Sequence, residues 1–377
     1  MIRIVSDKID DALKEHWKWV KKRFNIRETP EDDSVNHQGC LSKDDRDDLY
    51  KLLGFTGDDE QKIKQFKELI CVPPDKIEEF AKQQFSSLVK NESDEYIEYV
   101  EWKNKKNKTD EEKREGEIKY KDEIEKEENR KRVYDLLGYE SLYKTIKDSS
   151  WSASELCHRL GISICPYCNR QYITTASKVL DDEKEKWVAR PQLDHFYPKS
   201  RYPFLSCSFF NLIPSCPICN MGKNDSDTET LYPYLEGFRN LDGSRNAQFR
   251  IESNMVDEIF RLGTVNPDIN YTIELKRICD PDEHIKGSDE VFNLTILYNE
   301  HQVELRDLIK RYLIMIGAEL GDYSNPILGK DLIDCNDKER ETLQNVLLGL
   351  PLLIDNDQQY LLKIFKEDII SQLSEQN

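Results

Sequence analysis

The 377-residue sequence predicts an α+β protein in which helices predominate and one small ββα unit is embedded. Apolar residues recur at helical spacing through most of the chain, and strand-like alternation is confined to a few short stretches. Two Cys-Pro-x-Cys pairs bracket one of these stretches. We divide the chain into an N-terminal helical region at 1–90, a highly charged segment at 91–150, a cysteine-containing domain at 151–250 and a mainly helical region at 251–377.

The first 90 residues are predicted to form four helices. Their expected bounds are 7–24, 44–55, 59–70 and 75–90. Pro74 can begin the fourth helix, because the first turn of a helix leaves amide hydrogens unused and proline has none to offer. We expect Trp17 and Trp19 to pack in a core or against a partner rather than to stack on bases.

The segment from 91 to 137 is dominated by charge of both signs, since 28 of its 47 residues are Asp, Glu, Lys or Arg. This composition favours one or two long solvated helices or a helical hairpin. A disordered linker is the alternative.

The C-terminal region is predicted to contain one strand pair and three helices. The strands at 249–251 and 271–275 could pair, and the helices are expected at 293–316, 337–348 and 358–373. His301, on the first of these helices, is expected to be a surface or structural residue rather than a catalytic one.

The two cysteine pairs are the most specific feature of the sequence. They are Cys165 with Cys168 and Cys216 with Cys219, separated by 47 residues, and each has proline in second position. Proline favours the turn that directs both sulfurs to one metal, and four thiolates complete a tetrahedral structural zinc site. Two chance pairs of buried cysteines are the alternative, while disulfides are not expected in a chain without secretory features. The other six cysteines are scattered singly.

The residues between the pairs predict a β-hairpin followed by a helix. Residues 192–196 and 210–214 are expected to be its strands, and a helix is expected to begin near Cys219. Asn220 and Lys223 share a face of that helix. Asp194, His195 and Asn220 can therefore converge at one end of the hairpin.

These residues suit the cleavage of a phosphodiester bond. A hard cation such as Mg²⁺ or Mn²⁺ takes oxygen ligands, which Asp194 and the amide oxygen of Asn220 can supply. His195 lies on the other face of the strand and is free to act as a general base, since its unperturbed pKa lies near 6.5. The cation would stabilise charge on the phosphate and on the leaving 3′ oxygen.

The segments CPYC, LDHFYP and FNLIPSCPICN, with a lysine three residues on, resemble the HNH (ββα-metal, His-Me finger) endonuclease family in its four-cysteine zinc form. The resemblance implies that Asp194 is the first metal ligand, His195 the general base and Asn220 the final metal ligand. It also implies that Asn211 braces the loop between the strands. Lys223 matches a basic residue near the scissile phosphate in some members.

More loosely, the whole chain is similar to bacterial anti-phage HNH proteins encoded beside an ATPase, such as the Septu nuclease component. YPYLEGF at 232–238 and LYNEHQVELRDLI at 297–309 contribute to this likeness. It implies an effector nuclease of a defence system, with DNA preferred over RNA as substrate and an ATPase subunit as partner. The chain contains no GxxxxGK[ST] stretch, so any nucleotide switch is expected to come from another chain.

The formal net charge of −18 argues against a protein that coats nucleic acid by itself. Residues 157–223 are different, with nine lysines and arginines against five acidic residues, so the nuclease face is expected to be basic. Charges that merely solvate a surface are the alternative. The alternative function is a zinc-stapled module that binds nucleic acid or protein without cutting, which would need none of Asp194, His195, Asn211 and Asn220.

The sequence also predicts a cytoplasmic protein with no membrane association. No apolar run approaches the roughly 18–20 residues that a membrane span requires. The N-terminus lacks the apolar segment of a signal peptide, and ten cysteines without a secretory signal fit a reducing compartment.

Overall fold

The computed structural model describes residues 1–26, 40–90, 93–142, 151–179, 185–226, 228–278, 283–319, 342, 345–350 and 360–375. Helices predominate among these residues, and their strands form three separate two-stranded antiparallel sheets, so the α+β prediction is confirmed. The helices are α1 (Ile9–Arg23), α2 (Lys43–Leu52), α3 (Asp59–Ile70), α4 (Ile77–Gln84), α5 (Asp94–Asn104), α6 (Asp110–Lys119), α7 (Lys121–Leu137), α8 (Ala153–Leu160), α9 (Pro217–Lys223), α10 (Ser253–Leu262), α11 (Glu283–Phe292), α12 (Leu294–Asn299), α13 (Gln302–Glu319) and α14 (Lys363–Ser374). The strands are β1 (Ala176–Val179), β2 (Glu185–Ala189), β3 (Gln192–His195), β4 (Leu212–Ser215), β5 (Ala247–Ile251) and β6 (Ile273–Arg277).

The four N-terminal helices form as predicted, and both tryptophans of α1 are buried in the core. Only α4 is clearly shorter than expected. It ends at Gln84 because Phe85 leaves the helix and stacks its ring on that of Phe204, at 4.6 Å between centroids. This contact joins the N-terminal helices to the loop between β3 and β4.

The charged segment forms three helices, α5 to α7, rather than one or two long ones. The breaks have local causes: Thr109 caps α6 in a capping box with Glu112, and the backbone of Tyr120 leaves helical geometry between α6 and α7. Trp102 covers Gly116 so closely that a Cβ there would lie 2.0 Å from the indole ring. We call α5 to α7 the charged arm.

Both ends of the described chain pack on the cysteine-containing domain. The amide of Ile2 donates to the carbonyl of Pro166 at 2.8 Å, and the amide of Leu362 donates to the carbonyl of Asn169 at 2.9 Å. A single cluster of buried apolar side chains extends from Met1 to Leu373. The regions that the sequence divides therefore share one core.

The predicted pairing of two C-terminal strands is confirmed, since β5 and β6 form an antiparallel pair from Ala247 opposite Arg277 to Ile251 opposite Ile273. The predicted helix at 293–316 is two helices, α12 and α13, and the predicted helix at 358–373 corresponds to α14. Side chains of α14 satisfy the free edge of β5: Asp368 accepts from the amide of Phe249, and Gln372 bonds both backbone groups of Ile251.

Several expectations lie outside the described residues. They are most of the helix predicted at 337–348 and the single cysteines Cys279 and Cys335. In the part of the chain that is described, every helix is too short or too polar to cross a membrane.

Candidate metal centre and active site

The candidate site is a β-hairpin followed by a short helix. β3 and β4 pair antiparallel, with Asp194 opposite Ile213 and His195 opposite Leu212, and α9 begins two residues after β4. Cys216 caps α9, with its sulfur accepting from the amide of Cys219. The order of elements is the one expected from the sequence, and the second cysteine pair lies at the hairpin–helix junction.

The four paired cysteines come together in the core. Cys165, Cys168, Cys216 and Cys219 are buried, and their Sγ atoms all lie within 4.8 Å of one another. The Sγ atoms of Cys168 and Cys216 are 4.0 Å apart. The turn between the first two is closed by Asn169, which adopts the left-handed conformation with φ 50° that asparagine tolerates better than most residues.

This arrangement fits a tetrahedral metal. Four sulfurs about 2.3 Å from one zinc ion lie about 3.8 Å apart, so only a small contraction of the cluster is needed. The backbone amide of Cys216 already donates to the sulfur of Cys165 at 3.4 Å, a contact that stabilises a thiolate. The four cysteines can therefore bind a structural metal such as zinc.

Asp194 is buried, and polar groups of the protein surround one of its two oxygens. Its Oδ2 accepts a hydrogen bond from the hydroxyl of Tyr167 at 2.6 Å, and the ammonium of Lys223 lies 3.4 Å from the same oxygen. Burial raises the pKa of the Asp194 carboxyl, while Lys223 and Tyr167 act in the opposite direction. One carboxylate oxygen is thus committed to the protein, and Oδ1 is the atom that can be offered to a cation.

Lys223 is placed differently from a residue that reaches toward substrate. It is only 3% exposed, and its ammonium donates to the backbone carbonyl of His195 at 2.7 Å as well as facing Asp194. The lysine therefore ties the last turn of α9 to the end of β3. This gives it a structural role beside the one that the resemblance implies.

The imidazole of His195 is held in one orientation. Its Nε2 lies 3.0 Å from the carbonyl oxygen of Ser206, and the ring packs edge-on against Tyr139 at 4.3 Å between centroids. A carbonyl can only accept, so Nε2 carries the proton and Nδ1 carries the lone pair. Burial lowers the pKa of His195 to about 3, and the nearby charges of Lys199 and Lys223 add to this effect. The ring is therefore neutral at physiological pH.

Asn211 closes the loop between the two strands. Its Oδ1 accepts from the amide of Tyr197 at 2.7 Å, and its Nδ2 donates to the carbonyls of Tyr197 at 3.2 Å and Leu205 at 3.0 Å. The side chain is fully buried. These three bonds fix the loop whose residue Ser206 orients His195.

Asn220 shares a cleft with Asp194 and His195. The cleft has a volume of about 320 Å³, and Lys199 and Asp225 also line it; we call it the central cleft. The Nδ2 of Asn220 donates to Oε1 of Gln192 at 2.7 Å. Because the amide nitrogen is engaged, the amide oxygen is the atom that this side chain can present to a cation.

Sequence reasoning missed three residues of the site. Tyr167 holds Asp194, Ser206 holds His195 through its backbone carbonyl, and Tyr139 packs on the imidazole. The position of Tyr167 inside the first cysteine pair was a usable signal, because a metal staple places that residue next to the hairpin. Nothing in the local sequence marks Ser206 or Tyr139. His301, which the sequence predicts to be a surface or structural residue, accepts a hydrogen bond at Nε2 from Nε of Arg170 at 2.9 Å.

Among the described residues, the four cysteines are the one group of three or more His, Cys, Asp or Glu residues close enough to hold a metal ion. A cation in the central cleft would therefore rely on few protein ligands. Comparisons of the chain with protein-family models, curated proteins and solved structures found no match. The assignment of the site depends on its residues and their geometry.

Proposed function

We propose that the protein is a metal-dependent endonuclease of the HNH type, which hydrolyses phosphodiester bonds in nucleic acid and prefers DNA to RNA. The observation that carries the proposal is the convergence of Asp194, His195 and Asn220 on one cleft. A module that only binds nucleic acid needs a stable surface, but it has no use for a buried carboxylate and an oriented imidazole at the same place.

In this proposal His195 is the general base. Its bond to the carbonyl of Ser206 leaves Nδ1 to accept a proton from water, and burial keeps the ring in the neutral state that this step requires. A phosphodiester anion entering the cleft would raise the pKa of the imidazole, because negative charge favours the imidazolium. Proton transfer therefore becomes more favourable when substrate is present.

Asp194 and Asn220 would hold Mg²⁺ or Mn²⁺ through one carboxylate oxygen and one amide oxygen. Oxygen donors suit these cations, and a small protein ligand set leaves coordination positions for water and phosphate. When bound, the cation stabilises charge on the phosphate and on the leaving oxygen. Tyr167 and Lys223 orient the Asp194 carboxylate, and Asn211 keeps the loop that positions His195.

Zinc at the four cysteines is the structural metal of this proposal. The cluster joins the turn at Cys165–Cys168 to the start of α9, so it fixes the helix that carries Asn220 and Lys223 relative to β3. The hairpin and α9 contain few residues, and a metal staple compensates for the small core that such a unit can form on its own.

The proposal extends to a role as effector of a bacterial anti-phage system under the control of an ATPase subunit. Support comes from the wider resemblance and from two properties of the sequence: a net charge of −18 and the lack of a GxxxxGK[ST] stretch. Co-expression with the ATPase followed by size-exclusion chromatography tests the association. Strong unregulated cleavage by the isolated chain would contradict control by a partner.

The nuclease proposal is tested with plasmid, linear DNA and tRNA in Mg²⁺ or Mn²⁺, with and without the partner. His195→Ala should lower the cleavage rate by at least about 10²–10⁴-fold, because that is the usual contribution of a general base. Binding of Mn²⁺, measured by calorimetry, should be retained. In Asp194→Ala and Asn220→Ala, metal binding should weaken, and high Mn²⁺ should restore part of the activity.

The matched control is His158→Ala, which removes an exposed histidine of α8 outside the central cleft and should leave cleavage unchanged. Near wild-type cleavage by His195→Ala would remove the general base from the mechanism. No cleavage by any preparation of the wild type, combined with retained nucleic-acid binding, would favour the zinc-stapled binding module.

A further inference from the structure

A second cavity, of about 390 Å³, opens beside the central cleft. Lys199 and Asp225 line both cavities, so the two surfaces are continuous. The new cavity lies between the loop that follows β3 and the charged arm. We call it the basic groove, defined by Lys90, Arg130, Lys131 and Lys199 together with the rings of Tyr96 and Tyr134.

The groove is positive on a chain that is strongly negative. Its four cations face two acidic residues, Glu127 and Asp225, on a body of net charge −18. Glu127 is already engaged by the ammonium of Lys103 and by the hydroxyl of Tyr99, both from α5. Its charge is thus largely neutralised within the arm, and the cations dominate the field of the groove.

The cations come from separate parts of the chain. Arg130 and Lys131 lie near the middle of α7, whose last turn contains no basic residue, so the helix dipole does not explain their position. Lys90 and Lys199 approach the same groove from two other segments. The next residue of α7, Arg132, turns the other way and pairs with Asp45 at 2.8 Å and Asp48 at 3.1 Å on α2.

Aromatic rings contact three of the four cations. The ammonium of Lys90 lies 5.2 Å from the ring centroid of Tyr96, and the guanidinium of Arg130 lies 5.9 Å from the same centroid. The ammonium of Lys199 lies 5.2 Å from the ring of Tyr134 and donates to its hydroxyl at 3.2 Å. Such contacts reduce the freedom of long side chains before any ligand binds.

We propose that the basic groove binds the phosphodiester backbone of the nucleic acid on one side of the bond that is cut. Clustered lysines and arginines on a groove are the usual phosphate contacts of nucleic-acid-binding proteins, and they carry no sequence preference. Because Lys199 and Asp225 line both cavities, this backbone would lie next to the cleft that contains Asp194 and His195. The inference rests on the proposed function and assigns the charged arm to substrate binding.

The test measures binding separately from cleavage. The parent protein is His195→Ala, without added Mg²⁺ or Mn²⁺, and the ligands are labelled single-stranded DNA, duplex DNA and RNA at several salt concentrations. Lys90→Gln combined with Lys131→Gln should weaken binding at least about tenfold at low salt. The slope of log Kd against log salt should become shallower by about 1 for each lysine removed. Lys90→Arg combined with Lys131→Arg should retain binding.

The matched control is Lys113→Gln combined with Lys121→Gln, which makes the same charge change on exposed positions of α6 and α7 outside the groove. Equal losses in the two double variants, no loss in either, or no binding by the parent would overturn the inference. An acidic peptide that binds the groove more tightly than every oligonucleotide would assign it to a protein partner instead. If binding depends on the groove but the wild type does not cleave, the nuclease proposal is rejected and the groove proposal is kept. If the wild type cleaves and the groove variants cleave equally well, the proposed role of the groove is rejected and the nuclease proposal is kept.

Discussion

The region from 165 to 223 and the charged arm are stabilised by different kinds of interaction. In the first region the polar residues of the site are buried and bonded to one another or to the backbone; they are Asp194, His195, Asn211 and Lys223. In the arm the polar residues are mostly exposed and pair across helices, as Lys119 of α6 does with Glu98 of α5 at 2.8 Å. Its aromatic contacts involve Tyr99, Trp102 and Tyr120.

The two regions should differ in how much stability is lost when a polar side chain is substituted. A buried polar group that loses its partner costs about 1–3 kcal/mol, whereas an exposed ion pair contributes about 0–1 kcal/mol. We therefore expect single substitutions in the site region to destabilise the protein markedly. We expect the exposed charges of the arm to contribute little to the stability of the fold. They can therefore contact a ligand, as proposed for the basic groove.

The largest effect is expected from removing one ligand of the cysteine cluster. Cys216→Ser should reduce the zinc content from about one ion per chain and lower solubility or thermal stability, because metal binding is part of the folding energy of such a unit. Elemental analysis and thermal melting measure the two effects. Cys157→Ser is the control, since Cys157 is equally buried but outside the cluster, and it should keep its zinc. A zinc-free wild type, or unchanged melting of Cys216→Ser, would contradict the staple.

An intermediate effect is expected from His16, which joins α1 to the site region. The buried ring accepts from Nε1 of Trp151 at Nδ1 and donates from Nε2 to the carbonyl of Cys207 at 2.8 Å, so it fits only when neutral. Burial lowers the pKa of His16 to about 4. The unfolded chain takes up this proton below about pH 6.5 and the folded chain does not, so stability is lost as pH falls.

As the pH falls from 6.5 to 5, protonation of His16 in the unfolded chain should lower the free energy of unfolding by about 2 kcal/mol. Urea unfolding measures this loss. His16→Gln can keep one donor and one acceptor but does not titrate, so its stability should depend less steeply on pH. The difference between the two proteins isolates His16 from the other titrating groups. Identical pH dependence would show that the ring is protonated in the folded state without cost.

The smallest effect is expected in the charged arm. Lys119→Gln removes the ion pair with Glu98, and the melting temperature should change by no more than about 1 °C, because both groups are exposed to solvent. The same comparison in 1 M salt should give no difference at all. A loss comparable to that of Cys216→Ser would mean that the arm depends on this pair, and the comparison between the two regions would fail.

The sequence predicted those parts of the molecule that local rules determine. The helix at Asp59–Ile70, the pairing of β5 with β6 and the hairpin before α9 follow from periodicity and turn residues. The clustering of the four cysteines was predictable because two Cys-Pro-x-Cys pairs in one domain have few chemical uses. The helix, the strand pair and the hairpin depend on residues close in the sequence, and the cysteine cluster depends on the tendency of paired cysteines to share a metal ion.

The remaining features arise from contacts between distant segments. Tyr167 reaches Asp194 across 27 positions, and Lys223 reaches the backbone of His195 across 28. The basic groove combines residues from three segments, and no single one of them carries a binding motif. The division of the charged arm into three helices depends on a cap at Thr109 and a turn at Tyr120, which a charge count does not reveal.

The bond from the amide of Leu362 to the carbonyl of Asn169 has a consequence for biosynthesis. During translation the turn at Cys165–Cys168 emerges from the ribosome long before Leu362, which bonds to the neighbouring Asn169. The second cysteine pair emerges earlier than Leu362, so all four cysteines are present while the support from Leu362 is still missing. The order of synthesis therefore sets when the four-cysteine cluster can reach its final environment.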